Sequence, residues 1–444
     1  MAESDATDAT DARSGGIRLF ATGDPIATHP LRLRVAREIH ARPFEPLSTP
    51  CRIHKVAYLT SQEASDADVE RLRAFCRAHD VAEPDPDRRH HSVRIGSTRL
   101  RWERHSEFIT YQWQTEEQAV PPFSRSVFAD TPPSDMPPPP GPAIAAVHLA
   151  LVSKADAPAV DVLFQRASLC VSEVAGGAAT IATDFEQDAH GFTRILIADD
   201  GLGPDQAGAL AQRLLEIEVY RTLAFLGLPE AQRVGPEITR IEAELAALIG
   251  ARQEDTIAAN REALERLLAL ASGTETVAVT AAYRFNATRA YAGIVEARVE
   301  TIEEEPVAGY SMLGPFLARR MNPALMTCEV TDKRLADLSV KLTRAANLLR
   351  TRVNIAMEQQ NGALLASMNR RTQLQLRLQH TVEGLSVAAV SYYVVGLIAT
   401  MAKGAKDAGW HLPLPPGAIA ALAVPVVALG VWSLVRRIRS HHSD

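Results

Sequence analysis

LSVAAVSYYVVGLIATMA, residues 385–402, carries no charge and is about long enough as a helix to cross a bilayer. A second apolar run, GAIAALAVPVVALGVWSLV, follows at 417–435. Between them, KGAKDAGWHLPLPP (403–416) is polar and rich in helix breakers. Together the three stretches predict a transmembrane hairpin, with a local kink at Pro425. Flanking charge sets its direction. Arg370, Arg371 and Arg377 precede the first run, and Arg436, Arg437 and Arg439 follow the second. Of lysine and arginine, the connecting loop holds only Lys403 and Lys406. The positive-inside rule then predicts two spans with both termini in the cytoplasm.

Upstream of the first run, residues 332–383 contain no proline and a single glycine, Gly362. Apolar or small residues recur at Leu335, Leu338, Leu342, Ala345 and Leu349. They resume in a shifted frame at Val353, Met357, Leu364, Met368, Leu374, Leu378, Val382 and Leu385. Alternating three- and four-residue spacing with one stutter is a bundle or coiled-coil seam. One helix is therefore expected from about Asp332 into the first span, roughly 70 residues or about 100 Å long. A helix of that length needs partners, from its own chain or from a symmetric homo-oligomer. Asn347, Asn354 and Asn361 are seven residues apart and share one face. Two readings fit them: polar positions that fix register, or the lining of a polar axis along which ions move.

The soluble part reads as mixed α/β followed by helices. CRIHKVAYLT (51–60) predicts a strand, and 65–79 a helix capped by Ser65. HSVRI and TRLRWERHSEFITYQW flank a Gly96-Ser97 hairpin signal. A helix from His29-Pro30 through His40 is expected before them. After the proline-rich TPPSDMPPPPGP (131–142), AIAAVHLALV, ASLCVSEV, ATIATDFE and FTRILIAD predict strands, and 204–226 an amphipathic helix. The two strand-rich segments are separate modules or one continuous sheet. Residues 229–330 read as all-helical, with breaks near Pro229, Gly250, Gly273, Pro306 and Pro323.

Three polar clusters bear on chemistry. In WERHSEF, Glu103, His105 and Glu107 share one strand face if the strand is unbroken, with Tyr111 further along. Such a set binds a divalent cation or trades protons, or it forms a salt-bridged sheet surface with Arg101 and Arg104. EIHARPFEP places Glu38, His40 and Arg42 at a helix end, where the dipole alone favours histidine. TDFEQDAHGF collects Asp184, Glu186, Asp188 and His190 in a turn, without the spacing of an EF-hand. There is no phosphate-binding loop, dinucleotide fingerprint, nucleophile elbow, HExxH or kinase set, so no catalytic residue or cofactor is expected and the chain does not read as an enzyme. The net charge of −6 argues against a nucleic-acid partner. Four dispersed cysteines indicate neither a zinc site nor a disulfide framework.

HPLRLRVAREIHARPFEPL, WERHSEFITY, QRLLEIEVYR, RFNATRAY and the string from LLRTRVNIAMEQQNG through SYYVVGL resemble an uncharacterised family of bacterial membrane-anchored proteins, domain of unknown function 3422. The resemblance spans nearly the whole chain. It implies a proteobacterial setting and a membrane anchor and carries over no activity; the expected location is the bacterial inner membrane. The order of parts is also similar to CorA-type magnesium channels. Those carry Gly-Met-Asn after the first span, where this chain has MAKGAKDAGW.

The expected architecture is thus α+β. A disordered tail (1–16) leads to an α/β segment (17–130) and a linker (131–142). A strand-rich segment (143–228), a helical layer (229–330) and a stalk helix (331–384) follow. Then come span 385–402, a periplasmic loop (403–416), span 417–435 and a basic tail (436–444). The expected partners are the lipid bilayer, further copies of the chain, and proteins that dock on the cytoplasmic body. The leading functional expectation is a CorA-like oligomer that moves ions, a divalent cation included, with Asn347, Asn354, Asn361, Thr372, Gln379 and Ser386 lining its axis. The alternatives are a non-conducting scaffold and a tethered metal-dependent enzyme using Glu103, His105 and Glu107.

Overall fold

A computed structural model describes residues 44–85, 88–116, 121–124, 136–250, 256–409 and 413–440, with His29, Arg32, Val35 and Phe128 besides. The expected tail at 1–16, the cluster of Glu38, His40 and Arg42, most of the helix from His29 to His40, and the start of the proline-rich linker lie outside them. The chain divides into two compact units. Unit 1 comprises Met1–Ala246 and Leu270–Lys341, and unit 2 comprises Ala247–Ala269 and Leu342–Asp444.

Unit 1 is built on one nine-stranded sheet of order β2-β3-β4-β1-β5-β8-β7-β6-β9. The strands are β1 (Cys51–Leu59), β2 (His90–Ile95), β3 (Thr98–Arg104), β4 (Phe108–Thr115), β5 (Ala143–Ser153), β6 (Cys170–Val174), β7 (Ala179–Thr183), β8 (Thr193–Asp199) and β9 (Glu305–Pro306). β1 pairs antiparallel with β4 on one side and with β5 on the other, so both strand-rich segments share one sheet. β5 and β8 run parallel; the other neighbours are antiparallel. The expected single strand through WERHSEFITYQW is broken. It turns at residues 105–107, where His105 N donates to Phe108 O at 2.9 Å, and splits into β3 and β4. The turn lets the segment pair with itself, which one long strand could not do.

Helices cover both faces. α1 (Gln62–Ala78) starts a turn earlier than the sequence implies, because Ser61 rather than Ser65 caps it, accepting from Ala64 N at 3.1 Å. It packs Val69, Leu72 and Phe75 onto Val56, Leu100, Trp102 and Tyr111. α2 (Val160–Leu163) is a single turn. α3 (Pro204–Phe225) covers the opposite face, with Leu210, Leu214 and Leu223 in a core that includes Ile53, Leu149, Leu151 and Ile197. Its proline sits in the first turn, where no helical N–H bond is lost.

α4 (Gly227–Gly250), α5 (Ile257–Glu300) and α6 (Leu313–Asp407) follow. Pro229, Gly273 and Pro323 do not break them; each lies within a helix. Buried seams override these local penalties: Ala231, Val234, Ile238, Ile241 and Leu245 on α4, and Leu317, Met321, Ala324, Cys328, Leu335 and Leu338 on α6. α6 is the expected very long helix. It begins at Leu313, well before Asp332, and runs through the apolar stretch at 385–402. α7 (Pro416–Ser440) is the second apolar helix. Both are long and apolar enough to cross a membrane.

Gly208 of α3 is where the helix meets the chain leading into β1. A Cβ there would lie 2.0 Å from the backbone oxygen of Glu45. Gly208→Ala is therefore expected to destabilise unit 1 by about 1–3 kcal/mol, seen as a lower denaturation midpoint by tryptophan fluorescence. Gly235→Ala on α4, where a Cβ meets nothing within 4 Å, should leave the midpoint unchanged or raise it.

Candidate functional site

β1 is buried along its length, yet it carries Arg52, His54 and Lys55. Alternation sends Lys55 to the α3 face and the other two to the opposite face. Each needs a polar environment built around it.

On the α3 face, Lys55 Nζ donates to Glu103 Oε2 at 2.9 Å. Arg101 Nε and Nη2 donate to Glu103 Oε1 at 3.0 and 2.7 Å, and Thr110 Oγ1 to Oε2 at 3.2 Å. His105 Nε2 stands 3.9 Å from Glu103 Oε2. Burial by itself would raise the Glu103 carboxyl. Lys55, His105 and Arg101 outweigh it and hold the group well below the usual carboxylate range.

Glu107, in the β3–β4 turn, points elsewhere. Arg284 on α5 grips it with Nη1 to Oε1 at 3.1 Å and Nη2 to Oε2 at 2.8 Å, and Tyr283 Oη donates to Oε2 at 3.1 Å. This two-pronged pair ties the turn to the helical layer. The structure thus brings Glu103 and His105 together and assigns Glu107 to a different set of partners. Both carboxylates are already bonded to cationic side chains. Among the described residues, no group of three or more His, Cys, Asp or Glu side chains is placed to hold a metal ion.

The opposite face holds features that sequence reading missed. His54 and His148 are cross-strand neighbours on β1 and β5, with ring centroids 3.9 Å apart. Phe192 and Phe128 pack on His54, and Phe123 on His148. Burial pushes His54 down to about 2, with His148 and Arg52 adding to the effect. Burial takes His148 down to about 4, with Arg52 and Arg194 adding and Asp188 opposing. Asp68 of α1 is fully buried and accepts from Trp102 Nε1 at 2.9 Å, Tyr111 Oη at 3.0 Å and Arg71 Nη2 at 3.1 Å. The available signal was three polar residues, Arg52, His54 and Lys55, inside an otherwise apolar strand.

The acidic turn is occupied by backbone N–H groups, its own and that of Gln165. Asp184 accepts from Gln165 N at 2.9 Å and Glu186 N at 3.1 Å. Asp188 accepts from His190 N at 2.8 Å and Phe192 N at 2.9 Å.

In unit 2, Asn347, Asn354, Asn361, Thr372, Gln379 and Ser386 all lie on α6 and are exposed. At about 100° per residue they fall within roughly 60° of one another around the helix. Thr372 Oγ1 is bonded to the backbone oxygen of Met368 at 3.0 Å, and Gln379 Nε2 to Glu383 Oε1 at 3.4 Å.

These features define a class: an α+β body with a buried ionic core, one very long helix whose C-terminal part is apolar, and a second apolar helix after it. Within that class, the chain belongs to the family described as protein of unknown function (DUF3422), whose model matches residues 27–442. No curated protein and no solved structure matches it significantly.

Two outcomes follow for unit 1. Glu103→Gln leaves Lys55 and Arg101 buried without their counter-charge, and is expected to destabilise the fold by about 3–5 kcal/mol in chemical denaturation. Acid sensitivity should have two overlapping components. A histidine held below its ordinary 6.5 makes the unfolded state bind more protons, so stability falls as pH drops from about 6.5 towards about 4 for His148 and about 2 for His54. The depressed Glu103 adds a loss that begins only as pH falls through the ordinary carboxylate value of 4.5. Replacing both histidines by phenylalanine should flatten the fall between about 6.5 and 4.5, measured as denaturation midpoint against pH, and leave only the Glu103 loss below it.

Proposed function

We propose that this protein is a homo-oligomer of the bacterial inner membrane that moves ions, cations in the first instance, along an axis built from α6. It crosses the bilayer twice with both termini in the cytoplasm, and its sheet-based body senses a cytoplasmic signal and gates the path.

The observation that carries this reading is the exposure of α6 over residues 357–382. Every residue there is exposed, including Leu364 at 60%, Met368 at 58%, Leu374 at 58% and Leu378 at 67%. A helical stretch of about seven turns that shows an apolar stripe to water needs a partner. A second copy carries the same stripe, so symmetric association covers every copy at once. The polar face that begins at Asn347 lies beside this stripe around the helix. A bundle closed through the apolar positions turns the polar ones inward, the arrangement an aqueous axis needs. The next stretch of α6 is the apolar run, where Leu385, Tyr392 and Tyr393 are more than 70% exposed. Bilayer lipid is the natural cover for such a surface. Arginines flanking the hairpin favour cytoplasmic ends.

The test is oligomeric state followed by flux. Detergent-solubilised protein is expected to run as a symmetric oligomer by native mass spectrometry, and Leu364→Glu with Leu378→Glu should dissociate it. Proteoliposomes should show cation flux that falls when Asn354 and Asn361 are replaced by leucine. A monomer would sink the reading. An intact oligomer that is reproducibly silent would replace it with a non-conducting scaffold whose spans are anchors.

A further inference from the structure

Three guanidinium groups face one cavity in unit 1. Arg166 comes from the loop after α2, and Arg319 and Arg320 from the beginning of α6. Tyr310, Ser311 and Phe316 line it as well. The cavity measures about 420 Å³, the size of a small-molecule site and far more than one phosphate fills. Among the described residues no carboxylate lines it.

Two of the arginines, Arg166 and Arg320, are held from behind. Arg166 Nη1 donates to Asp161 Oδ1 at 2.7 Å, and Tyr310 Oη donates to Asp161 Oδ2 at 2.6 Å. The shared carboxylate draws the guanidinium over the Tyr310 ring, 5.7 Å from its centroid. Arg320 lies 5.4 Å from the centroid of Phe316, which is itself stacked on Phe185. Arg319 and Arg320 form no ion pair with any described residue. The nearby start of α6 contrasts with them. There Glu304 accepts from Leu313 N at 2.9 Å and Gly314 N at 2.7 Å, so the helix end already has its anion. Like charges brought together around a concave surface repel unless an anion enters.

We propose that this cavity binds a small soluble molecule carrying at least two phosphate groups, gripped by Arg166, Arg319 and Arg320. Guanidinium forks match phosphate oxygens in pairs, and stacking on a ring keeps a fork oriented before the ligand arrives. Three forks spread around a cavity of about 420 Å³ can engage separate phosphates, and the volume leaves room for a diphosphate and part of what it is attached to. The Ser311 hydroxyl adds a neutral donor at the wall. The proposal rests on unit 1 alone and holds whether or not the protein conducts ions.

The test is titration calorimetry on the full-length protein in detergent, with inorganic pyrophosphate and a nucleoside triphosphate as probes. Binding is expected for both, weakening as salt rises. Arg319→Ala and Arg320→Ala should each reduce affinity about tenfold or more. Arg320→Lys, which keeps the charge but not the fork, should fall between. Both arginines are exposed, so the thermal midpoints of these variants should match the parent. No binding of either probe, or binding unchanged in both alanine variants, overturns the proposal. A short-chain phosphatidylinositol bisphosphate that binds at least tenfold tighter than both probes, and loses affinity in the same variants, would assign the arginines to a lipid headgroup and overturn the soluble ligand.

Discussion

The pairing of β1 with both β4 and β5 joins the sheet. Without it, the strands before and after the proline-rich stretch would be two small sheets, each exposing an edge. With it, β1 becomes interior on both sides and on both faces. Everything that β1 carries must then be satisfied inside the protein. α1 and α3 cover its two faces, and the side chains that meet Arg52, His54 and Lys55 follow from that enclosure.

Charge burial is the other side of this arrangement. Glu103 sits between Lys55, Arg101 and Thr110, and the carboxylate stays ionised because two cations outweigh the loss of water. His54 and His148 take the opposite solution. Phenylalanines surround them, Arg52 stands nearby, and burial keeps them neutral. Asp68 is handled by neutral donors as well as an arginine. Three ionisable clusters against one sheet are thus accommodated by different routes, and in the second His54 Nδ1 and His148 Nε2 stay buried without a hydrogen-bond partner among the described residues. None of them leaves a carboxylate pair open to a cation.

Much of the fold was legible in the sequence because it rests on periodicity. The strand at CRIHKVAYL, the helix beginning at Pro204 and the seam through Leu335, Leu338, Leu342 and Leu349 match the structure closely. The misreadings came from local signals that packing overrode. Pro323 reads locally as a helix break, but the buried seam of α6 runs through it. WERHSEFITYQW reads as one strand because its turn contains neither glycine nor proline. Glu103, His105 and Glu107 share a face only in an unbroken strand, and the turn at 105–107 removes that face. Lys55 could not be matched to Glu103 from sequence, since 48 residues separate them and the register of intervening strands decides their meeting.

The sequence by itself determined the apolar hairpin, the long helix leading into it and the α+β order of elements. Each is written in local pattern: runs without charge, three-and-four spacing, and alternation bounded by turn residues. Only the tertiary structure decided that the strands form one sheet, which ionisable groups share its interior, and that Arg166 meets Arg319 and Arg320 around a cavity. Those facts depend on long-range pairing, and the free energy that selects a pairing comes from burying faces against each other, a quantity no local window of sequence contains.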